Sequence, residues 1–130
     1  MRTAMVYFDK NWLAKAIVEA APDDVFAEIA ELREKKIAAL GVEYRDAHEI
    51  DAEHRTSIVT GHWWHRGSIT VQGNEKGSTV TYRVENIASP KTHWLAYLHK
   101  LNYSARMKQE LAKILRQCCV NLGCAFRMDH

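Results

Sequence analysis

The spacing of apolar positions changes period at Pro22, and that change organises the first third of the chain. Before it, Trp12, Ala14, Ala16 and Val18 fall on one side and Lys15 and Glu19 on the other, the period of a strand with one buried face. After it, Val25, Phe26, Ile29, Leu32, Arg33 and Ile37 recur at spacings of three and four, which is a helix stripe. Proline suits the first helical turn because it has no amide proton to leave unpaired, and Asp23, Asp24 and Glu28 set negative charge near the positive helix end. The spacing therefore predicts a strand that turns directly into a helix. Gly41 is the expected stop, and the charged residues 33–36 mark a place where the helix can divide in two.

From Val42 onward the pattern predicts strands. Residues 42–50 carry mixed charge and read as an exposed or edge strand. Residues 55–64 alternate, with Ile58, Thr60, His62 and Trp64 on one face and Ser57, Val59, Gly61 and Trp63 on the other. Residues 67–72 place Ile69 and Val71 together, and residues 78–86 set Val80, Tyr82 and Val84 against Thr79, Thr81, Arg83 and Glu85. Glycines at both ends of the segment 73–77, with Asn74 between them, predict a hairpin. Ser89-Pro90 ends the meander. A helix starting near Thr92 or Ser104 then runs to Leu122 on a stripe of Met107, Leu111, Ile114, Leu115, Cys118 and Leu122, with Gly123 as its stop.

The segment AKAIVEAAPDDVFAEIAEL, with Ala21, Pro22, Val25 and Phe26 at the strand-to-helix junction, resembles the opening of the START-like, or Bet v 1-like (SRPBCC), helix-grip domains, which include polyketide cyclase/dehydratase-like proteins. The resemblance covers residues 12–124, with residues 1–11 as an N-terminal extension or edge strand. It implies an α+β fold in which a curved antiparallel sheet wraps a long C-terminal helix and leaves a cavity between them. The family has six strands after its first helices. The meander here supplies four, so a shortened sheet is expected, and helices packed flat on a four- or five-stranded sheet are the alternative.

Composition narrows the function classes. In 130 residues, Lys plus Arg is 18 against 16 for Asp plus Glu, too small a bias for a nucleic-acid partner. No apolar run approaches membrane-spanning length, the first residues lack a signal-peptide pattern, and a cytoplasmic protein is the default. Cys118, Cys119 and Cys124 cluster in one segment and read as small reduced side chains. His62 and His65 stand three apart, so on a continuous strand they face opposite ways and cannot share a metal. Phosphate loops, nucleophile elbows and zinc-helix motifs are absent. No cofactor or metal is expected.

What remains is a pocket. Ile58, Thr60, Trp64, Val80 and Val84 from the strands, with Tyr97, Met107 and Leu111 from the C-terminal region, are the expected ligand-binding residues, and the expected partner is a hydrophobic or aromatic small molecule. The enzyme alternative, implied by the resemblance to polyketide cyclases, uses His62 as acid or base, with Glu43 or Arg83 as its partner, and Tyr82 to polarise a carbonyl. Arg106 and Lys108 read as solvated charge on the helix face, with contact to a ligand carboxylate as the alternative. A third reading is a cavity-free interaction domain that forms a homodimer through residues 5–8 and 94–101.

Overall fold

The computed structural model describes residues 12–40, 48–61, 65–87 and 103–129. These residues form an α+β fold of six strands and two helices: β1 (Trp12–Val18), α1 (Pro22–Leu40), β2 (His48–Asp51), β3 (Thr56–Gly61), β4 (His65–Asn74), β5 (Gly77–Asn86), α2 (Tyr103–Leu122) and β6 (Phe126–Asp129). The sheet is antiparallel and open, in the order β2-β3-β4-β5-β1-β6. It packs around the long C-terminal helix: α2 lies on β1 and β6, and α1 lies beside it over β2 to β5. No helix among the described residues is long and apolar enough to cross a membrane.

β1 keeps the alternation its sequence carries. Trp12, Ala14, Ala16 and Val18 are buried while Leu13 and Lys15 are exposed. The two alanines leave room for α2, whose Met107, Leu111, Leu115 and Cys118 fill the core opposite them. Pro22 opens α1 as expected, and Asp23 in the first turn receives the Nε–H of Arg55 at 2.7 Å. The helix does not divide at residues 33–36. It runs unbroken to Leu40, because the charged run alternates sign at helical spacing, with Lys35 bridging to Glu31 at 3.1 Å.

The hairpin between β4 and β5 is tighter than the sequence indicated. The strands reach Asn74 and Gly77, leaving Glu75 and Lys76 as the loop, and the Asn74 side chain accepts the Lys76 N–H at 2.7 Å. β2 begins at His48. The expected segments 5–8 and 94–101 lie outside the described residues.

β6 has no counterpart among the strands expected from the sequence. Gly123, at φ +68°, ends α2 as expected, and the Cys124 N–H donates back to the Cys119 carbonyl at 3.0 Å. The chain then continues, pairing Val18 with Phe126 through to Lys15 with Asp129. Phe126 and Met128 are partly buried and Arg127 and Asp129 exposed. The alternation was present, but four residues are too few to separate a strand from a polar tail. At this end of α2, burial pushes the Cys118 thiol up to about 12, and burial together with the Cys124 thiol, 3.0 Å away, does the same for Cys119. The thiolate fraction of Cys118 at pH 8 is then roughly a thousandfold below that of an ordinary thiol. Iodoacetamide followed by mass spectrometry is expected to leave Cys118 unmodified in the native protein and to label it after denaturation; fast native labelling would show that this helix end opens.

Candidate functional site

A cavity lies between the two helices and the middle of the sheet. Its floor is a directly opposed cross-strand pair, Ile69 on β4 and Tyr82 on β5. One wall is α1, through Leu32, Arg33 and Lys36. The other is α2, through Glu110, Leu111, Lys113, Ile114 and Gln117, which recur at three- and four-residue spacings. The cavity is open to solvent on one side and has a volume of about 670 Å³.

Arg33 projects from the buried stripe of α1 towards the sheet. Its Nη1 donates to the Ser57 carbonyl at 2.7 Å and to Ser57 Oγ at 3.3 Å, and its Nη2 donates to the Gly67 carbonyl at 3.1 Å. The guanidinium carbon sits 6.0 Å from the centre of the Tyr82 ring, at the outer range of a cation–π contact. Burial lowers its pKa to about 10 against the opposing fields of Tyr82 and Glu110, so it remains charged at neutral pH. Tyr82 is buried and donates its hydroxyl proton to Glu110 Oε2 at 3.1 Å. Gly67 makes this arrangement possible: a Cβ there would come within 3.2 Å of the Tyr82 ring.

Behind Arg33 runs a second polar chain. Glu34 Oε2 lies 2.5 Å from His48 Nδ1, and His48 Nε2 lies 2.7 Å from Ser57 Oγ. A carboxylate only accepts, so in the neutral imidazole the Nδ1 proton goes to Glu34 and Nε2 accepts the Ser57 hydroxyl proton, which leaves Ser57 Oγ to accept from Arg33. Carboxylate, imidazole and hydroxyl in this order match a nucleophilic relay. Ser57, however, has no exposed surface, and its oxygen is already held by Arg33. The chain fixes the guanidinium; it does not present a nucleophile.

The structure redistributes the expected site. Tyr82 and Leu111 border the cavity. Val80, Val84 and Met107 are fully buried in the core and do not line it. Ile58 and Thr60 lie on the opposite face of β3 from the one expected. The register sets Ser57 opposite Ile69 and Val59 opposite Gly67, and opposed residues share a face, so Ser57 and Val59 point the way Tyr82 does. A small hydroxyl side chain suits the inward position, since Ser57 Oγ accepts from Arg33 and bonds to His48, where isoleucine would offer no polar atom. Arg83, one residue from Tyr82, is exposed on the outer side. His62, Trp64, Tyr97 and Glu43 lie outside the described residues. Arg106 and Lys108 are exposed and do not line the cavity; among the described residues its cations are Arg33, Lys36 and Lys113. The signal for Arg33 was present as a charge inside an apolar stripe, and Glu110 likewise interrupts the stripe of α2. Nothing linear marked His48 and Ser57 as partners.

No family model matches the chain, and no curated protein matches it. Among solved structures, the crystal structure of TTHA0849 from Thermus thermophilus is similar, with a TM-score of 0.55 and 12% identity over 86% of this chain and 99% of that one. At that identity the likeness is one of fold. With the open sheet packed around the C-terminal helix, it is consistent with a helix-grip-like arrangement.

Proposed function

We propose that the protein binds a small hydrophobic or aromatic molecule in the cavity between α1, α2 and the sheet. The observation that carries this reading is the cavity of about 670 Å³ in which Leu32, Ile69, Leu111 and Ile114 form an apolar lining around a few placed polar groups, the usual make-up and size of a ligand site. Helix-grip-like folds often hold such ligands, and lipid- or polyketide-like molecules are the classes to try first. Tyr97 remains a further contact proposed on its sequence position.

Binding is preferred here to polyketide cyclase-like catalysis because the Tyr82 hydroxyl already gives its proton to Glu110 and would have to leave it before polarising a substrate carbonyl. The test is titration with the neutral fluorophore N-phenyl-1-naphthylamine. Saturable binding at one site per chain is expected, and Ile114→Trp, which fills the cavity from the α2 side, is expected to weaken it at least about tenfold. Binding that does not saturate, or that ignores the tryptophan in a folded variant, would overturn the reading.

A further inference from the structure

Among the described residues, the charges bordering the cavity do not balance. Arg33, Lys36 and Lys113 border it, against Glu110. Arg33 is the unusual member: its hydrogen-bond acceptors, the Ser57 carbonyl and hydroxyl and the Gly67 carbonyl, are all neutral. Among the described residues no carboxylate lies within ion-pair distance of it. Glu110, which is close enough to be felt electrostatically, is bonded to Tyr82. A guanidinium taken out of water without a counter-ion is costly unless something further compensates it, and its fork carries more N–H groups than these neutral oxygens use.

The rest of the fold holds that guanidinium in place. Glu34, His48 and Ser57 form a hydrogen-bonded chain ending on Arg33, so the side chain is positioned before any ligand arrives, and a fixed donor loses little freedom on binding. Lys36 lies three residues, close to one turn, beyond Arg33 on the same wall, and Lys113 faces it from α2. These flexible cations give the cavity a positive margin that attracts anions over a distance of about a Debye length.

We propose that the cavity takes an amphipathic carboxylic acid, its apolar body against Leu32, Ile69 and Ile114 and its carboxylate on Arg33, with Lys36 and Lys113 drawing the anion in. This rests on the reading of the cavity as an apolar ligand site and names the polar end of that ligand. Glu110 on the facing wall repels a second negative charge, so a monoanion fits better than a dianionic phosphate. The carboxylate supplies the counter-charge that Arg33 lacks, and bidentate pairing with a guanidinium is among the strongest of charge-assisted contacts.

The experiment compares decanoate, 1-decanol and decyl phosphate as competitors of bound N-phenyl-1-naphthylamine at pH 8 and low salt. Decanoate is expected to compete at least about tenfold better than decanol, to lose most of that margin in 0.5 M salt, and to outcompete decyl phosphate. Equal competition by acid and alcohol overturns this inference while leaving the apolar site intact; failure of both overturns the apolar site as well. Tighter competition by decyl phosphate overturns the carboxylate assignment. Arg33→Gln is expected to abolish the acid preference, and a folded Arg33→Gln variant that keeps it refutes the role of Arg33. Should that variant not fold, the double variant Lys36→Gln, Lys113→Gln decides, with the preference expected to fall at least about threefold and an unchanged preference counting against the proposal.

Discussion

Replacing Gly77 by alanine is expected to remove about 3 kcal/mol or more of stability, enough to leave a marginally stable domain partly unfolded. Gly77 opens β5 at φ +143°, a conformation that residues with a side chain rarely adopt. A Cβ there would stand 2.7 Å from the Ala20 nitrogen and from the Val18 carbonyl oxygen, and 2.8 Å from the Ala20 carbonyl oxygen. All are backbone atoms of the turn joining β1 to α1, so no side chain can swing aside to relieve the contact. The adjacent Ser78 is fully buried and donates its hydroxyl to the Ala20 carbonyl at 2.7 Å. The hairpin thus clamps the strand-to-helix junction. Urea denaturation of Gly77→Ala beside Lys76→Ala, an exposed neighbour expected to change stability by less than about 0.5 kcal/mol, checks this; equal effects would mean that the clamp does not bear on the junction.

Leu111→Ala is expected to cost about 2–5 kcal/mol and to lower the melting temperature by roughly 10 °C. Leu111 is fully buried among the core residues of β1 and α1 and also borders the cavity, so its truncation removes contacts and adds its volume to the ligand space. The two consequences separate by measurement. Calorimetry of the unliganded variant reports the lost packing, whereas the stabilisation produced by a saturating bulky apolar probe is expected to be larger in the variant than in the parent protein, because the enlarged space has apolar surface for the probe to cover. A large drop in stability with no gain in probe stabilisation would show that the core collapses into the vacated volume and that Leu111 is a core residue alone.

Arg33 shows how fold and site depend on one another. Its charge is carried on the apolar stripe of α1 and is accepted by the backbone of β3 and β4, so the feature that gives the cavity its polarity also ties the first helix to the meander. Removing it would disturb packing as well as binding, which is why the exposed lysines are the cleaner probes of ligand charge.

Features that depend only on neighbours along the chain were legible in the residues. The strand alternation of Trp12, Ala14, Ala16 and Val18, the proline-led start of α1, the tight turn around Asn74 and the glycine stop at Gly123 are settled within a few residues by backbone sterics and periodicity. The stripe of Met107, Leu111, Leu115 and Cys118 likewise followed from helical spacing. The unbroken course of α1 and the short strand β6 did not, since one depends on ion pairing over the charged run and the other on the presence of β1 to pair with.

Which side chains face the cavity depends on long-range packing. Alternation divides β3 into two faces but does not say which turns inward; the register with Ile69 sets Ser57 inward, where its hydroxyl meets Arg33 and His48. The meeting of Arg33 with Tyr82, and of Tyr82 with Glu110, joins residues from α1, β5 and α2. Such contacts join positions dozens of residues apart, and no local pattern encodes them because each becomes favourable only after the helices have docked and water has been excluded between them.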